Sequence, residues 1–228
     1  DRYDANYIYF IDDDSFPKLS HVEGIIDEMA ARGLVGKVKL GFRGARINEI
    51  KRMDDAFLTK LADAGTDIMH IGAESGSQRM LDLIRKDCTV QDIIEINLKM
   101  SRHPQIRTAY NWIVGLPGET IDELRKTQQL MMRLIRDNPN AILFIPNKFR
   151  PLPMTELFDL ALEYGYTLPQ RLEDWIDREV EGDYRPPWYS DEIFGSINMM
   201  QVTSYFIDNK INKVEVGRTW TYMLLTVI

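Results

Sequence analysis

The chain has 228 residues, 44% of them hydrophobic and 28% charged, which allows one globular domain with a sizeable core and excludes a low-hydropathy disordered chain. Its 35 acidic side chains outnumber 28 scattered basic ones, for a net charge of −7, so the whole-chain field disfavours a polyanion such as nucleic acid. No apolar run reaches membrane-spanning length, no signal peptide is evident, and a lone cysteine, Cys88, cannot form an internal disulfide, so a cytoplasmic setting is the expectation.

Tyr7 to Ile11 is the first strand signal. Ser20 with Glu23 has the pattern of a capping box ahead of Val22, Ile25, Ile26 and Met29, which predicts a helix closed at Gly33. Val38 to Phe42 begins the next strand, and a helix from Asp54 turns Phe57, Leu58 and Leu61 inward before ending at Gly65. Ile68 to Ile71 is the third strand, followed by one helix from about Ser77 and another capped by Thr89. Thr108 to Val114 and Ala141 to Ile145 are the last strands, separated by a helix capped by Thr120 with Glu123. The alternation predicts an α/β fold whose parallel strands roll, through right-handed crossovers, into a TIM-like barrel or arc. After about residue 165 the rhythm breaks: Arg185 to Trp188 marks a loop, and Ser190 to Phe206 has helical spacing. The expected units are therefore 1–165, a partial barrel, and 166–228, a mainly helical extension.

Two segments carry most of the chemical information. IGAESGSQRML, residues 71–81, and WIVGLPGET, residues 112–120, each run from an apolar strand into a Gly-rich turn with a carboxylate and then into a helix. Such turns at strand C-termini are where α/β proteins hold small molecules. Glu74 could accept hydrogen bonds from hydroxyls or an ammonium, or could serve as an N-terminal helix charge. Gly115 to Gly118 fits a tight turn that exposes backbone groups, with Pro117 presetting φ and Gly118 free to take φ > 0, while Glu119 and Thr120 are expected to cap the helix. Asp12, Asp13 and Asp14 form a solvated turn, a hard-cation site or an ammonium-binding site. Arg43 and Arg46 flank Gly44, where a guanidinium could hold a carboxylate or pair with the aspartates. His21, His70 and His103 lack metal-ligand spacing, with His70 expected in the core, and Cys88 is expected to be structural.

Taken together, these segments resemble a family. IGAESGSQRMLDLIRKDCT (71–89) and WIVGLPGET match the fourth-strand and fifth-strand segments of radical S-adenosylmethionine (SAM) enzymes, particularly the subgroup that often carries cobalamin and includes cyclases of the anaerobic magnesium-protoporphyrin ester type. IDDDSF, residues 11–16, resembles that subgroup's FxDDxF segment with Ile11 for the first Phe, and FRPLPMTEL, residues 149–157, resembles its PxPGT segment with Met154 in the place of Gly. The resemblance implies a partial (β/α)6 barrel that binds SAM through Asp13, Asp14, Arg46, Glu74, Ser75, Gly115, Leu116, Pro117 and Gly118. It implies a whole enzyme that reduces SAM at a 4Fe–4S cluster to a 5′-deoxyadenosyl radical, with hydrogen abstraction, or cobalamin-dependent methylation or cyclisation, to follow.

The family's cluster loop, CxxxCxxC, has no counterpart here, and one thiol cannot replace three. The first βα unit is therefore expected upstream of Asp1, and the chain is expected to be inactive alone. Tyr7 to Ile11 would then be an open edge that dimerises, or that pairs with the tail Thr221 to Ile228. Two alternatives stay open: a non-catalytic barrel remnant that binds SAM or a partner, and a divalent-metal lyase or hydrolase built on Asp12, Asp13, Asp14 and Glu74.

Overall fold

The computed structural model describes residues 5–171, 173–174 and 185–207. Its strands are β1 (Tyr7–Phe10), β2 (Lys39–Ala45), β3 (Thr66–Glu74), β4 (Arg107–Val114), β5 (Ala141–Leu143) and β6 (Asn147–Lys148). Between them lie α1 (Leu19–Ala31), α2 (Ile47–Arg52), α3 (Asp55–Asp63), α4 (Gln78–Leu83), α5 (Val90–Met100) and α6 (Ile121–Asp137), and α7 (Glu156–Glu163) and α8 (Asp191–Ile207) follow. The strands pair in chain order, β1-β2-β3-β4-β5, all parallel, and β6 continues the β5 edge by pairing with Ile113 and Val114 of β4. This is the α/β partial barrel with parallel strands, and a helix follows it near the C-terminus.

The local chemistry explains most element ends. The Thr89 and Thr120 hydroxyls accept from the backbone N–H groups of Asp92 and Glu123, whose carboxylates reciprocate, so both capping boxes form. Asp54 caps α3 by accepting from Phe57 N–H at 2.8 Å. Helix α1 closes at Gly33, φ +63, where Leu34 N–H reaches back to the Met29 carbonyl at 2.9 Å.

Three expectations need correction. Ser20 does not cap α1, which starts at Leu19 after Lys18 and has no side-chain cap, because Phe16, wholly buried, brings the chain into the helix earlier. Helix α2 escaped the sequence reading, since six residues are too few to show a period. Strand β2 runs to Ala45, beyond the apolar Val38 to Phe42 run.

The core lies between the sheet and its helices. Leu40, Phe42, Met69, Ile71, Tyr110 and Trp112 face Val22, Ile26, Leu58, Leu61, Ile93 and Leu134 from the helices. Tyr110 Oη donates to Asn97 Oδ1 at 3.0 Å, and Asn138 Nδ2 donates to Thr108 Oγ1 at 3.0 Å, so the buried polar groups tie α5, β4 and the start of β5 together. On one side β1 pairs with β2, and no strand pairs with its other side among the described residues. Tyr7, Ile8 and Tyr9 on that strand are 37–42% exposed. The tail Thr221 to Ile228 lies outside the described residues.

Candidate functional site

Parallel pairing places the C-terminal ends of β1 to β4 on one rim. Ser15 N–H donates to the Gly44 carbonyl at 3.1 Å, Ala45 is in register with Ile71, and Glu74 with Trp112. The rim therefore brings Asp13, Asp14, Arg46, Glu74 and Gly115 into strand-by-strand succession. Gly44, at φ +71, is required here, because a Cβ would strike the backbone of Asp13. A cavity of about 700 Å³ is bordered by Asp12, Asp14, His21 and Phe42, and a smaller one of about 300 Å³ by Arg46, Glu49, Lys86 and Cys88.

Asp14 accepts from Phe16 N–H at 3.2 Å and bonds to Glu49, a residue absent from the sequence-based site. Glu49 is 4% exposed and accepts from Arg46 N–H at 3.0 Å. Burial pushes its carboxyl upward; the Arg46 N–H opposes this and the facing Asp14 carboxyl adds to it. The Glu49 carboxyl, facing Asp14 and held by the Arg46 N–H, thus sets α2 against the loop after β1. The Arg46 side chain is exposed at the mouth of the smaller cavity.

Glu74 ends β3 at φ +61, a left-handed conformation that costs a non-Gly residue about 1–2 kcal/mol. Its Oε1 accepts from Lys86 Nζ at 2.8 Å, and both side chains are mostly buried. The pair lies over Gly72, where a Cβ would collide with both ends of it. Ser75, by contrast, is wholly buried and turned away from the rim: its hydroxyl bonds Thr127 Oγ1 of α6 at 3.2 Å and accepts from Ser77 N–H at 3.1 Å. Ser75 therefore anchors the turn and offers a ligand only its backbone.

The 115–118 turn is already satisfied from within. Gly115 and Leu116 N–H both donate to Glu119 Oε2, at 2.5 and 3.2 Å, and Trp188 Nε1 donates to the Gly115 carbonyl at 3.0 Å. Arg79 donates to the Gly118 carbonyl at 2.7 Å and pairs with Glu123. Leu116 and Pro117 are buried, so the expectation of exposed backbone N–H groups gives way to a turn held rigid from behind. Thr120 caps α6 as expected, but Glu119 does not; it is 3% exposed, and its Oε1 is a buried acceptor without a hydrogen-bond partner. Burial pushes its carboxyl up to about 7 against the two N–H donors. Burial also raises Glu123, but the Arg79, Thr120 and Ser77 hydrogen bonds outweigh it and hold that group at about 2.

Among the described residues no group of three or more His, Cys, Asp and Glu side chains is placed to hold a metal ion, so the divalent-cation alternative has no ligand set here. No helix among them is long and apolar enough to cross a membrane. His103 bonds Asp55 at 3.3 Å, and Cys88 is half-buried.

Comparison with known proteins supplies a class for this rim. The chain is 32% identical over 168 residues to the anaerobic magnesium-protoporphyrin IX monomethyl ester cyclase of Cereibacter sphaeroides, covering 71% of this chain and 27% of the relative. It is 30% identical over 143 residues to the tRNA-2-methylthio-N(6)-dimethylallyladenosine synthase of Herminiimonas arsenicoxydans, covering 60% of this chain and 29% of the relative. The chain thus spans well under a third of either. The solved structure of the radical SAM methyltransferase TsrM from Kitasatospora setae, with cobalamin and a 4Fe–4S cluster bound, superposes with a TM-score of 0.57 at 18% identity, over 72% of this chain and 32% of that one. Elp3 of Methanocaldococcus infernus superposes with a TM-score of 0.51 at 14% identity, over 94% and 55%. These likenesses are ones of fold. The profile of the Radical SAM superfamily matches residues 14–131, from the aspartate loop to the middle of α6. That span is more than half of the chain and includes both Gly-rich turns, and the chain belongs to the radical SAM superfamily.

Proposed function

We propose that this chain forms the SAM-binding wall of a radical SAM enzyme that carries out cobalamin-dependent methyl transfer or cyclisation, with residues 166–228 an extension beyond the barrel unit and the cytoplasm its setting. The observation that carries the reading is Glu74: a carboxylate held in a left-handed conformation at the rim, with a lysine partner, between the aspartate loop and the rigid turn. Backbone strain of that kind clusters at functional sites, and at Glu74 it coincides with a mostly buried charge pair at the rim.

The chemistry of SAM fits the groups available. Glu74 would accept from ribose hydroxyls, Asp13 and Asp14 would receive the ammonium, and Arg46 would meet the carboxylate. The 115–118 turn, braced by Glu119 and Trp188, would offer a fixed surface to the adenine. A 4Fe–4S cluster, when bound, supplies the electron for reductive cleavage of SAM. Its thiolates are not a set this chain offers, since Cys88 is the one cysteine and burial raises its thiol.

The test is calorimetric titration of the chain with S-adenosylhomocysteine. We expect saturable one-to-one binding, weakened about tenfold or more by Glu74→Gln. Absence of binding by the folded chain, or equal affinity in Glu74→Gln, overturns the assignment.

A further inference from the structure

Side chains alternate across a strand, so the neighbours of the helix-facing positions look into the hollow of the arc. From β2 these are Gly41 and Arg43, and from β3 they include His70. Ile68, Ala109 and Ile142 pack together there with Phe144. A Cβ on Gly41 would lie 2.5 Å from Tyr9 Cδ2 and 2.6 Å from Tyr7 Oη, so both tyrosine rings cross over β2 into the same hollow. His70 stacks on Phe144 at 4.9 Å and 24°, and Tyr9 meets His70 edge-on at 5.6 Å. Rings from β1, β3 and the end of β5 thereby form one aromatic floor.

Arg43 stands two residues beyond Gly41, on the same face and nearer the rim. Its side chain is exposed, and no carboxylate pairs with it among the described residues. The other cations of this region are committed, Arg107 to Asp67 and Lys86 to Glu74. Burial raises the Tyr9 hydroxyl and the Arg43 charge opposes that rise, and the same charge adds to the lowering of His70, as expected for a guanidinium beside both rings. Burial first, then Arg43 and Arg107, depress His70 to about 4, so at neutral pH the floor carries an uncharged imidazole.

We propose that the hollow of the arc binds a flat, conjugated organic acid, its ring system on the floor of Tyr9, His70 and Phe144 and its carboxylate on Arg43. Neutral aromatic faces attract a π-system by offset or edge contacts, a guanidinium matches a carboxylate in bidentate fashion, and a cationic ring would be repelled by Arg43. The assignment rests on the SAM-wall reading, for which it names the substrate class. Its residues are separate from the rim groups assigned to SAM.

The experiment is fluorescence titration of the chain with anthracene-2-carboxylate, alongside anthracene-2-carboxamide and adamantane-1-carboxylate as competitors. Saturable one-to-one binding is expected, with Arg43→Gln weakening it about tenfold. The neutral amide and the non-planar acid should compete at least about tenfold more weakly than the planar acid. Phe144→Leu, which keeps an apolar side chain, should weaken the planar acid and leave adamantane-1-carboxylate unchanged. No saturable binding, equal affinity of Arg43→Gln, or equal competition by the amide overturns the proposal. Titration of the same variants with S-adenosylhomocysteine separates it from the SAM reading. If Glu74→Gln loses only S-adenosylhomocysteine and Arg43→Gln only the aromatic acid, both stand. If Arg43→Gln loses S-adenosylhomocysteine and keeps the aromatic acid, the guanidinium serves the cofactor and the proposal falls. If the wild-type chain binds the aromatic acid with the expected selectivity but not S-adenosylhomocysteine, the acid site stands and the SAM reading falls.

Discussion

Glu119 is a carboxyl with one oxygen bonded twice and the other without a hydrogen-bond partner among the described residues, and its titration sets a pH dependence of the fold. Its folded value, about 7, lies above the ordinary 4.5, so the native state holds the proton more tightly than the unfolded chain. Its contribution is then most favourable below about 4.5 and is lost as the pH rises to about 7, an effect on the order of 3 kcal/mol at full burial. His70 runs the other way: depressed to about 4 from 6.5, it contributes stability above 6.5 that is lost as the pH falls. The two slopes partly cancel, so the informative quantity is the difference between wild type and Glu119→Gln in denaturant unfolding. That difference should change steadily between pH 4.5 and 7 and stay level above it. Parallel curves across that window would sink the assignment. The motif GLPGET makes Glu119 visible but not its role, because a carboxylate beside a capping threonine looks like a second cap until the turn is seen folding back onto it.

At the level of elements, Met154 offers a direct test. It occupies the place of a glycine in the family's sixth-strand pattern, and it adopts φ +66 with its side chain fully exposed. Met154→Gly removes the left-handed penalty without removing any packing. It should stabilise the chain by about 0.5–1 kcal/mol in chemical denaturation, the penalty relieved outweighing glycine's greater unfolded-state entropy. A loss of stability would mean that the loop before α7 needs the methionine. The caps at Asp54, Thr89 and Thr120 were legible because a cap is a local bargain between one side chain and N–H groups two or three residues on. Helix α2 and the rim end of β2 were not, because they depend on Gly44 admitting the aspartate loop and on Glu49 being buried against Asp14.

For the molecule as a whole, the edge of β1, which no strand covers among the described residues, is the liability. An apolar edge with free backbone groups recruits another strand. Sedimentation should therefore show concentration-dependent association of the chain, and Ile8→Lys should shift it towards monomer; indifference to Ile8→Lys would rule out β1 as the contact. Iron gives a second test at this scale. Anaerobic reconstitution with iron and sulfide should yield no stoichiometric cluster on this chain, because one thiol cannot hold a cubane. A stable cluster at one per chain, lost in Cys88→Ser, would reverse that expectation.

The order of strands and helices, the caps and the Gly-rich turns at the strand ends were determined by the sequence, because each depends on residues within a few positions of one another. Which of these groups stand at the rim was decided by tertiary structure. Ser75 lies beside Glu74 in the chain, yet α6 draws its hydroxyl into the core while Lys86 keeps Glu74 at the rim. Spacing alone puts His70 in the core and leaves Arg43 a choice between a carboxylate ligand and the aspartates. Arg43 and His70 share the hollow with Tyr9 and Phe144 because sheet register, a property of the paired strands and not of any one segment, puts their faces together.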